Sequence, residues 1–293
     1  MKPRSLALAL LFTTLTSAGQ SPLIGIYEGA SSGAGDNQGQ PGVRVLFRQS
    51  GREWRSFNAV CHDESCLKTI GHSFPHTTTW TLVQSGKPIA KVTATTPPTY
   101  RLYSEIGVQA IDNPASVANL EPRPNPNSPA PPHTILATTL STLTDPDNWR
   151  PFPPVPFDLT HAQQAFRKLF PHPINCDASG KQLPRSRPFT YNDTDIHFNA
   201  AYQSNKNWRL LQVTLNGYRC DGPPEAAFLD QWFAITPTGQ VRHIGHLMQL
   251  AGAADFAHTG HSALLFSIPG NTGGYRLFYE DFTRTAQATV IHH

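Results

Sequence analysis

Alternating apolar and polar positions recur along much of the chain and predict β-strands joined by tight turns. The run LIGIY at 23–27 is one short strand. Two hairpins follow, in which VRVLFRQ turns at 50–51 into EWRSFNAV, and TWTLVQ turns at 85–87 into PIAKVTAT. Alternating or β-branched runs around a glycine turn are typical of antiparallel hairpins. A further strand pair is expected in TYRLYSEIGVQAI, at 99–111.

The C-terminal third repeats this pattern. HFNAAYQ is followed by WRLLQVTL, QWFAI turns at 236–239 into QVRHIGHLMQL, SALLFSI turns into YRLFYEDF, and ATVIHH ends the chain. Successive hairpins of this kind suit stacked antiparallel sheets. The sequence therefore predicts a mainly β protein, with its hairpins in a propeller-like or sandwich-like array.

One short helix is expected from Thr160 to Leu169. Ala162, Phe166 and Leu169 fall on one face of that helix, and either Thr160 or Asp158 is able to cap its first turn.

Proline-rich stretches divide the chain. The segment 112–133 contains almost no bulky apolar side chains, and 145–158 reads DPDNWRPFPPVPFD around a strand predicted in TILATTLSTL. Such segments cannot bury enough surface to fold alone. We therefore predict an N-terminal β region at 19–111, a proline-rich linker with a short strand at 112–158, and a C-terminal β region with the helix at 159–293.

The first 18 residues have the order of a secretory signal peptide. Lys2 and Arg4 precede an apolar run from Leu6 to Phe12, and 16–18 are small residues that suit cleavage. No later apolar run reaches the ~18 residues of a membrane span. We expect an exported, periplasmic or extracellular protein.

Composition supports turn-rich β structure and argues against nucleic-acid binding. The chain has 27 Pro and 21 Gly, and 15% of its residues are charged. Of its 23 basic residues, removing Lys2 and Arg4 leaves 21 against 20 acidic residues. A nearly neutral chain lacks the basic excess of a nucleic-acid binder.

Four cysteines in an exported chain indicate two disulfides, for which three pairings exist. Cys61–Cys66 closes a short loop and Cys176–Cys220 a long one, and we favour this pairing. A Cys/His zinc site is the rival interpretation, but the spacings match no common zinc framework.

The segment ADFAHTGHSALLF, at 254–266, resembles the calcium loop of FG-GAP/VCBS repeats of integrin-type propellers. The repeat has the pattern DxDxDGxxD before an apolar strand. Asp255 matches its first acidic residue and Gly260 its turn, whereas Ala257 and Ala263 stand at ligand positions. The resemblance implies a loop followed by a strand, with calcium as the metal that such loops hold.

Three other segments, GYRCDGPP, DQWF and GGYRLFYEDF, resemble a group of secreted bacterial β-proteins to which no activity is assigned. This resemblance implies export and a β fold.

The histidines are the residues of this sequence that most strongly suggest a chemical function. A zinc or copper site could draw on His243, His246, His258 and His261, with Asp255 as a carboxylate ligand. The alternative is that these histidines are exposed or singly hydrogen-bonded. Residues three apart on a strand point to opposite faces, so HxxH makes one site only in a turn.

Signals for other catalysis are weaker. Ser73 and Ser262 are the serines of GHS at 71–73 and 260–262, which match the first three residues of GxSxG, but neither segment completes the motif. Adjacent acids occur at Asp193–Asp195 and Glu280–Asp281, and turn roles suit both. Five aromatic residues could stack on a sugar or belong to the core: Trp54, Trp80, Trp208, Trp232 and Tyr275.

We therefore expect a non-enzymatic exported protein with a binding or structural role and a protein or glycan ligand. No cofactor is expected, unless calcium or zinc binds the loop. The alternative is a metal-dependent or glycan-directed hydrolase that uses the C-terminal His and Asp residues, so the sequence leaves open whether the protein is an enzyme.

Overall fold

The structure is a computed structural model that describes residues 21–29, 41–57, 75–84, 86–95, 107–120, 134–177, 179–218, 220, 230–269 and 272–291. The predicted signal peptide, Cys61, Cys66 and Ser73 lie outside these residues.

Sixteen strands in three antiparallel sheets make up about half of the described chain. The first sheet contains β1 (Leu23–Glu28), β2 (Gly42–Ser50), β3 (Glu53–Ser56), β4 (Thr77–Gln84), β5 (Lys87–Thr95), β6 (Val108–Ile111) and β7 (Leu136–Thr138). The second contains β8 (Arg150–Pro151), β9 (Ile196–Gln203), β10 (Arg209–Leu215), β11 (Asp230–Ile235) and β12 (Val241–His246). The third contains β13 (Gln249–Ala254), β14 (Ala263–Ile268), β15 (Thr272–Tyr279) and β16 (Arg284–Ile291).

One α-helix, α1 (Pro156–Leu169), and two short 3₁₀ turns, Pro114–Val117 and Asp193–Asp195, complete the described structure. The predicted mainly β, sandwich-like fold is confirmed.

The first sheet closes on itself. Its strand order is β1-β7-β4-β5-β6-β2-β3, and β1 also pairs with β2. We call it the closed sheet. Side-chain hydrogen bonds run through its interior. Trp80 Nε1 donates to Gln109 Oε1 at 2.8 Å, and Gln109 Nε2 donates to Thr78 Oγ1 at 3.2 Å. These bonds satisfy polar groups that would be costly to bury unpaired.

The third sheet, here the central sheet, lies between the closed sheet and the second, outer sheet. Leu265 shares a core with Leu46 of the closed sheet. Its neighbours Leu264 and Phe266 share another core with Trp232 of the outer sheet. A strand buried on both faces reads as a continuous apolar run, which is why 263–266 is ALLF.

Helix α1 covers the other face of the outer sheet. Ala162 and Phe166 are buried there, in a core that also contains Cys220. Cys176 and Cys220 form a disulfide with a Cα–Cα distance of 5.2 Å, in agreement with the favoured pairing. None of the helices in the described residues is long and apolar enough to cross a membrane.

The start of α1 differs from the prediction. The helix begins at Pro156 rather than Thr160, because proline is pre-shaped for the first helical position and lacks the N–H that would be left unbonded there. Val155 is the N-cap residue and makes no side-chain cap. Asp158 is fully buried and binds Arg209 Nη1 at 2.9 Å instead of capping. Leu169, expected on the buried face, is 42% exposed.

The predicted strand QVRHIGHLMQL is two strands in different sheets. The chain turns from β12 in the outer sheet to β13 in the central sheet at Gly245 (φ 150°) and Leu247 (φ 47°). Gly245 has a positive φ that residues with a side chain rarely adopt, and a Cβ there would also lie 2.7 Å from Met248 Cε, so glycine suits this close approach. Met248 is fully buried, and its carbonyl accepts from Trp232 Nε1 at 2.8 Å, which fixes the crossing.

Part of the predicted linker belongs to the packed structure. β7 pairs with both β1 and β4, although it spans three residues of the longer strand expected there. The residues that follow it supply side chains to the site described next.

Candidate functional site

A cleft of about 460 Å³ lies between the closed sheet and the central sheet. Three chain segments line it: the β2–β3 hairpin, the loop between β13 and β14, and the turn between β15 and β16. The second of these contains the segment that resembles a calcium loop.

The hairpin contributes Gln49, Arg52 and Trp54. Gln49 and Trp54 are cross-strand partners, and Arg52 is exposed at the turn between them. The backbone carbonyl of Arg52 accepts from Arg284 Nη1 at 3.3 Å, so the hairpin is tied to the central sheet. The Trp54 ring meets the buried Phe256 ring edge to face, with centroids 6.5 Å apart. Trp54 is 6% exposed and Phe256 1% exposed, so this pair is a packed apolar floor beneath the polar rim.

The loop between β13 and β14 is organised by the carboxylate of Asp255. Its Oδ1 accepts from the backbone N–H of Thr259 at 2.8 Å, and its Oδ2 accepts from that of Gly260 at 2.6 Å. The backbone N–H of Asp255 donates to Thr144 O at 2.8 Å. His258 (φ 53°) and Gly260 (φ 79°) give the loop the left-handed turns that aim these amides inward. Because N–H groups surround the carboxylate, its charge is satisfied within the loop.

A buried polar network holds the end of this loop. The backbone N–H of Ser262 donates to Asp147 Oδ2 at 2.9 Å, and Ser262 Oγ donates to Asp145 Oδ1. Lys206 Nζ lies 2.6 Å from Asp147 Oδ1 and 3.1 Å from His261 Nδ1. The ammonium group of Lys206 thus contacts both the Asp147 carboxylate and the His261 ring.

The turn between β15 and β16 has an unusual backbone. Glu280, Asp281 and Phe282 all have left-handed φ, at 49°, 54° and 62°. Each such residue costs about 1–2 kcal/mol when it carries a side chain, so other contacts must hold the turn. The Phe282 ring supplies them, since its centroid lies 5.3 Å from Trp208 and 6.0 Å from Trp149. The anchored turn places Glu280 and Asp281 at the cleft.

The Tyr279 hydroxyl adds a polar group to the cleft. It accepts from the backbone N–H of Trp54 at 3.4 Å and keeps its own proton for donation. Charged and neutral polar groups thus surround the floor: the guanidinium of Arg52, the imidazole of His261, and the carboxylates of Asp255, Glu280 and Asp281.

The five residues of the predicted metal site do not form one ligand set. No group of three or more His, Cys, Asp or Glu side chains in the described chain could hold a metal ion. His243 and His246 lie on β12 of the outer sheet, whereas Asp255, His258 and His261 belong to the loop after β13. Calcium or zinc binding stays a prediction.

His243 has its own partner. Its Nε2 lies 2.7 Å from Gln231 Oε1. Burial lowers the pKa of His243; the charges of His246 and Arg276 lower it further, and a backbone hydrogen bond with Gly245 opposes them. This arrangement favours a neutral histidine whose ring is hydrogen-bonded to Gln231 and to the backbone at Gly245.

Several other candidate residues are packed in cores or bonded within turns. Trp80, Trp208 and Trp232 are buried in cores. Asp195 Oδ2 accepts from the backbone N–H of Asn192 at 2.7 Å, and Asp193 Oδ1 accepts from Arg167 Nε at 2.6 Å. Of the aromatic and acidic candidates, Trp54 and the Glu280–Asp281 pair are the ones that line the cleft.

Sequence reasoning missed Arg52, Asp147 and Lys206. Asp147 and Ser262 are 115 residues apart, so no local spacing relates them. The available signal was the DPD turn at 145–147, whose aspartates suit hydrogen bonding to backbone.

Comparisons with protein-family models, with curated proteins and with solved structures find no match for the chain. The resemblance to FG-GAP/VCBS repeats and to a secreted bacterial group stays a prediction.

Proposed function

We propose that the protein is an exported, non-enzymatic binding protein that holds a small polyhydroxylated ligand, of the saccharide class, in the cleft. The observation that carries this proposal is the composition of the cleft walls. About 460 Å³ of space lies over the Trp54–Phe256 floor, with cationic, anionic and neutral hydrogen-bonding groups around it. Small-molecule sites occupy about 300–1,000 Å³ and combine apolar walls with a few placed polar groups.

The charge pattern argues against an anionic ligand. The lining carries Arg52 against Asp255, Glu280 and Asp281, and of these the Asp255 carboxylate is already bonded to backbone N–H groups of its own loop. A sugar hydroxyl both donates and accepts. It is able to donate to the carboxylates and accept from the guanidinium.

Export is the second element of the proposal. Its main support is the order of charge, apolar run and small residues in the first 18 residues. The Cys176–Cys220 disulfide is compatible with it, because disulfides persist in oxidising compartments.

The test is isothermal titration calorimetry of the purified protein, from which the signal peptide is removed, against a panel of neutral mono- and disaccharides. We expect at least one ligand to bind with one site per chain. Arg52→Ala is expected to weaken binding about tenfold, because a hydrogen bond to a charged group is lost. Arg150→Ala, at an exposed arginine on β8 of the outer sheet, is the matched control and should bind as wild type does.

Three results would contradict the proposal: no binding across the panel, equal affinity in the Arg52→Ala variant, or turnover of a bound saccharide. Turnover, with or without added calcium or zinc, would instead support the hydrolase alternative. Product analysis after overnight incubation with each saccharide measures it.

A further inference from the structure

We infer that Lys206 fixes His261 as a neutral imidazole with its proton on Nε2, which gives the cleft a hydrogen-bond donor of fixed position for an oxygen atom of the ligand. This inference rests on the proposed function. It assigns Lys206, which lies outside the cleft lining, the role of a positioning residue for the binding site.

The Asp147 carboxylate anchors the Lys206 ammonium. Asp147 Oδ1 lies 2.6 Å from Nζ, and the side chain of Asp147 is only 7% exposed. The other oxygen of the same carboxylate is occupied by the backbone N–H of Ser262. The carboxylate therefore cannot turn away, and its charge holds the ammonium in place.

The backbone around Lys206 is held as well. The turn between β9 and β10 is joined to the segment before β8, where Asn205 N–H donates to Asp147 O at 2.8 Å and Asn205 Nδ2 donates to Pro146 O at 3.0 Å. Lys206 thus starts from a fixed point on the same segment that supplies Asp147.

The hydrogen bond between Lys206 and His261 has one possible direction. A lysine ammonium has three donors and no acceptor. Its 3.1 Å contact with His261 Nδ1 therefore needs a lone pair on Nδ1. An imidazolium has a proton on both nitrogens and is incompatible with this bond. The ring is consequently the neutral tautomer with hydrogen on Nε2.

This tautomer gives the cleft a hydrogen-bond donor. His261 lines the cleft, its backbone N–H contacts Thr259 Oγ1 at 3.4 Å, and its neighbour Ser262 is locked to Asp147. With Nδ1 engaged by Lys206, Nε2–H is the hydrogen-bonding atom that the ring has left for a ligand. It selects an acceptor, such as a hydroxyl, ring or carbonyl oxygen.

The direct test is a long-range ¹H–¹⁵N NMR correlation of ¹⁵N-labelled protein at about pH 8, above the usual titration range of histidine. We expect His261 Nδ1 at a pyridine-type shift and Nε2 at a pyrrole-type shift, without averaging between tautomers. Lys206→Met should bring averaged shifts. A wild-type His261 that is averaged, or that has its proton on Nδ1, overturns the inference, and this readout needs no variant and no ligand.

The ligand part of the inference is tested with the saccharide that binds most tightly in the calorimetric panel. A Gln side chain places its amide nitrogen near the position of His Nε2, whereas Asn places its own near Nδ1. His261→Gln should keep the affinity within about threefold, whereas His261→Asn, which removes the donor at the Nε2 position, should lose about tenfold. Equal losses in His261→Gln and His261→Asn overturn the role of Nε2–H. A fixed tautomer together with no saccharide binding would contradict the proposed function and leave the Lys206–His261 relationship standing.

Discussion

Asp147 and Ser262 bond to each other in both directions across 115 residues of chain. The carboxylate Oδ2 of Asp147 accepts from the Ser262 backbone N–H at 2.9 Å, and Ser262 Oγ accepts from the Asp147 backbone N–H at 3.2 Å. Both residues are buried. This reciprocal pair ties the segment before β8 to the end of the cleft loop, and it brings Lys206 to His261.

Ser262→Ala should destabilise the protein by about 2–3 kcal/mol, because the buried N–H of Asp147 loses its acceptor and Asp145 loses a donor. Urea unfolding followed by tryptophan fluorescence measures this change. Ser267→Ala on β14, the strand that follows Ser262, is the matched control, since the hydroxyl of Ser267 makes a hydrogen bond of 3.4 Å. We expect that control to stay within about 0.5 kcal/mol of wild type. Equal effects of the two substitutions would show that the reciprocal pair does not stabilise the loop.

Two residues of the left-handed turn at the cleft, Glu280 and Phe282, should differ in how much their replacement by glycine changes the free energy of unfolding. Glu280→Gly relieves a backbone cost in an exposed residue, and the greater freedom of glycine in the unfolded chain offsets much of the gain. The free energy of unfolding should remain within about 1 kcal/mol of wild type. Phe282→Gly relieves a similar backbone cost but removes the ring that packs on Trp149, Trp208 and Phe278.

Phe282→Gly should therefore lose about 2–4 kcal/mol in the same urea assay. If Glu280→Gly is as damaging as Phe282→Gly, the aromatic anchor does not hold the turn, and the explanation of its strained backbone is wrong.

Removing the disulfide by the double substitution Cys176→Ala and Cys220→Ala should cost about 4 kcal/mol. The cysteines are 44 residues apart, and a cross-link of that span restricts the unfolded chain by this amount in the chain-entropy description. Chemical denaturation without reductant measures it. A loss below about 1 kcal/mol would show that the bond adds little to the packing of α1 on the outer sheet.

Stability should fall above pH 10 in a manner that depends on Tyr275. Burial raises the pKa of Tyr275 to about 12; the charge of Glu28 raises it further and that of Arg44 opposes. The unfolded chain releases this proton near the ordinary value of 10.0, so the stabilising contribution is complete below pH 10 and is lost as pH rises towards 12. Tyr275→Phe should flatten this part of the curve of unfolding free energy against pH. Parallel curves for wild type and variant would contradict the expectation.

The hairpins were predictable because their signals are local. The turns at Gly51 and Gly86 connect alternating runs, and the structure has β2–β3 and β4–β5 at these places. The crossing between sheets at Gly245 and Leu247 was not predictable. It depends on the burial of Met248, which follows from the packing of two whole sheets.

The site was predictable only in fragments. The loop and the turn glycine at 255–260 follow from the sequence, and Trp54 and Glu280 stand out as candidate residues. Their assembly around one cleft depends on the stacking of the closed and central sheets, which no spacing along the chain encodes. Asp255 shows why the loop resembles a metal site, since a carboxylate that organises a loop of backbone amides has the same local sequence as a metal ligand.

The most direct test of the cleft as the binding site is a crystal structure of the protein with the saccharide of the panel that binds most tightly. We predict electron density for the ligand over Trp54 and Phe256, with an oxygen atom within hydrogen-bond distance of His261 Nε2 and another at Glu280 or Asp281. A ligand bound anywhere else on the protein, or an empty cleft at a saturating concentration, would contradict the assignment of this cleft as the binding site.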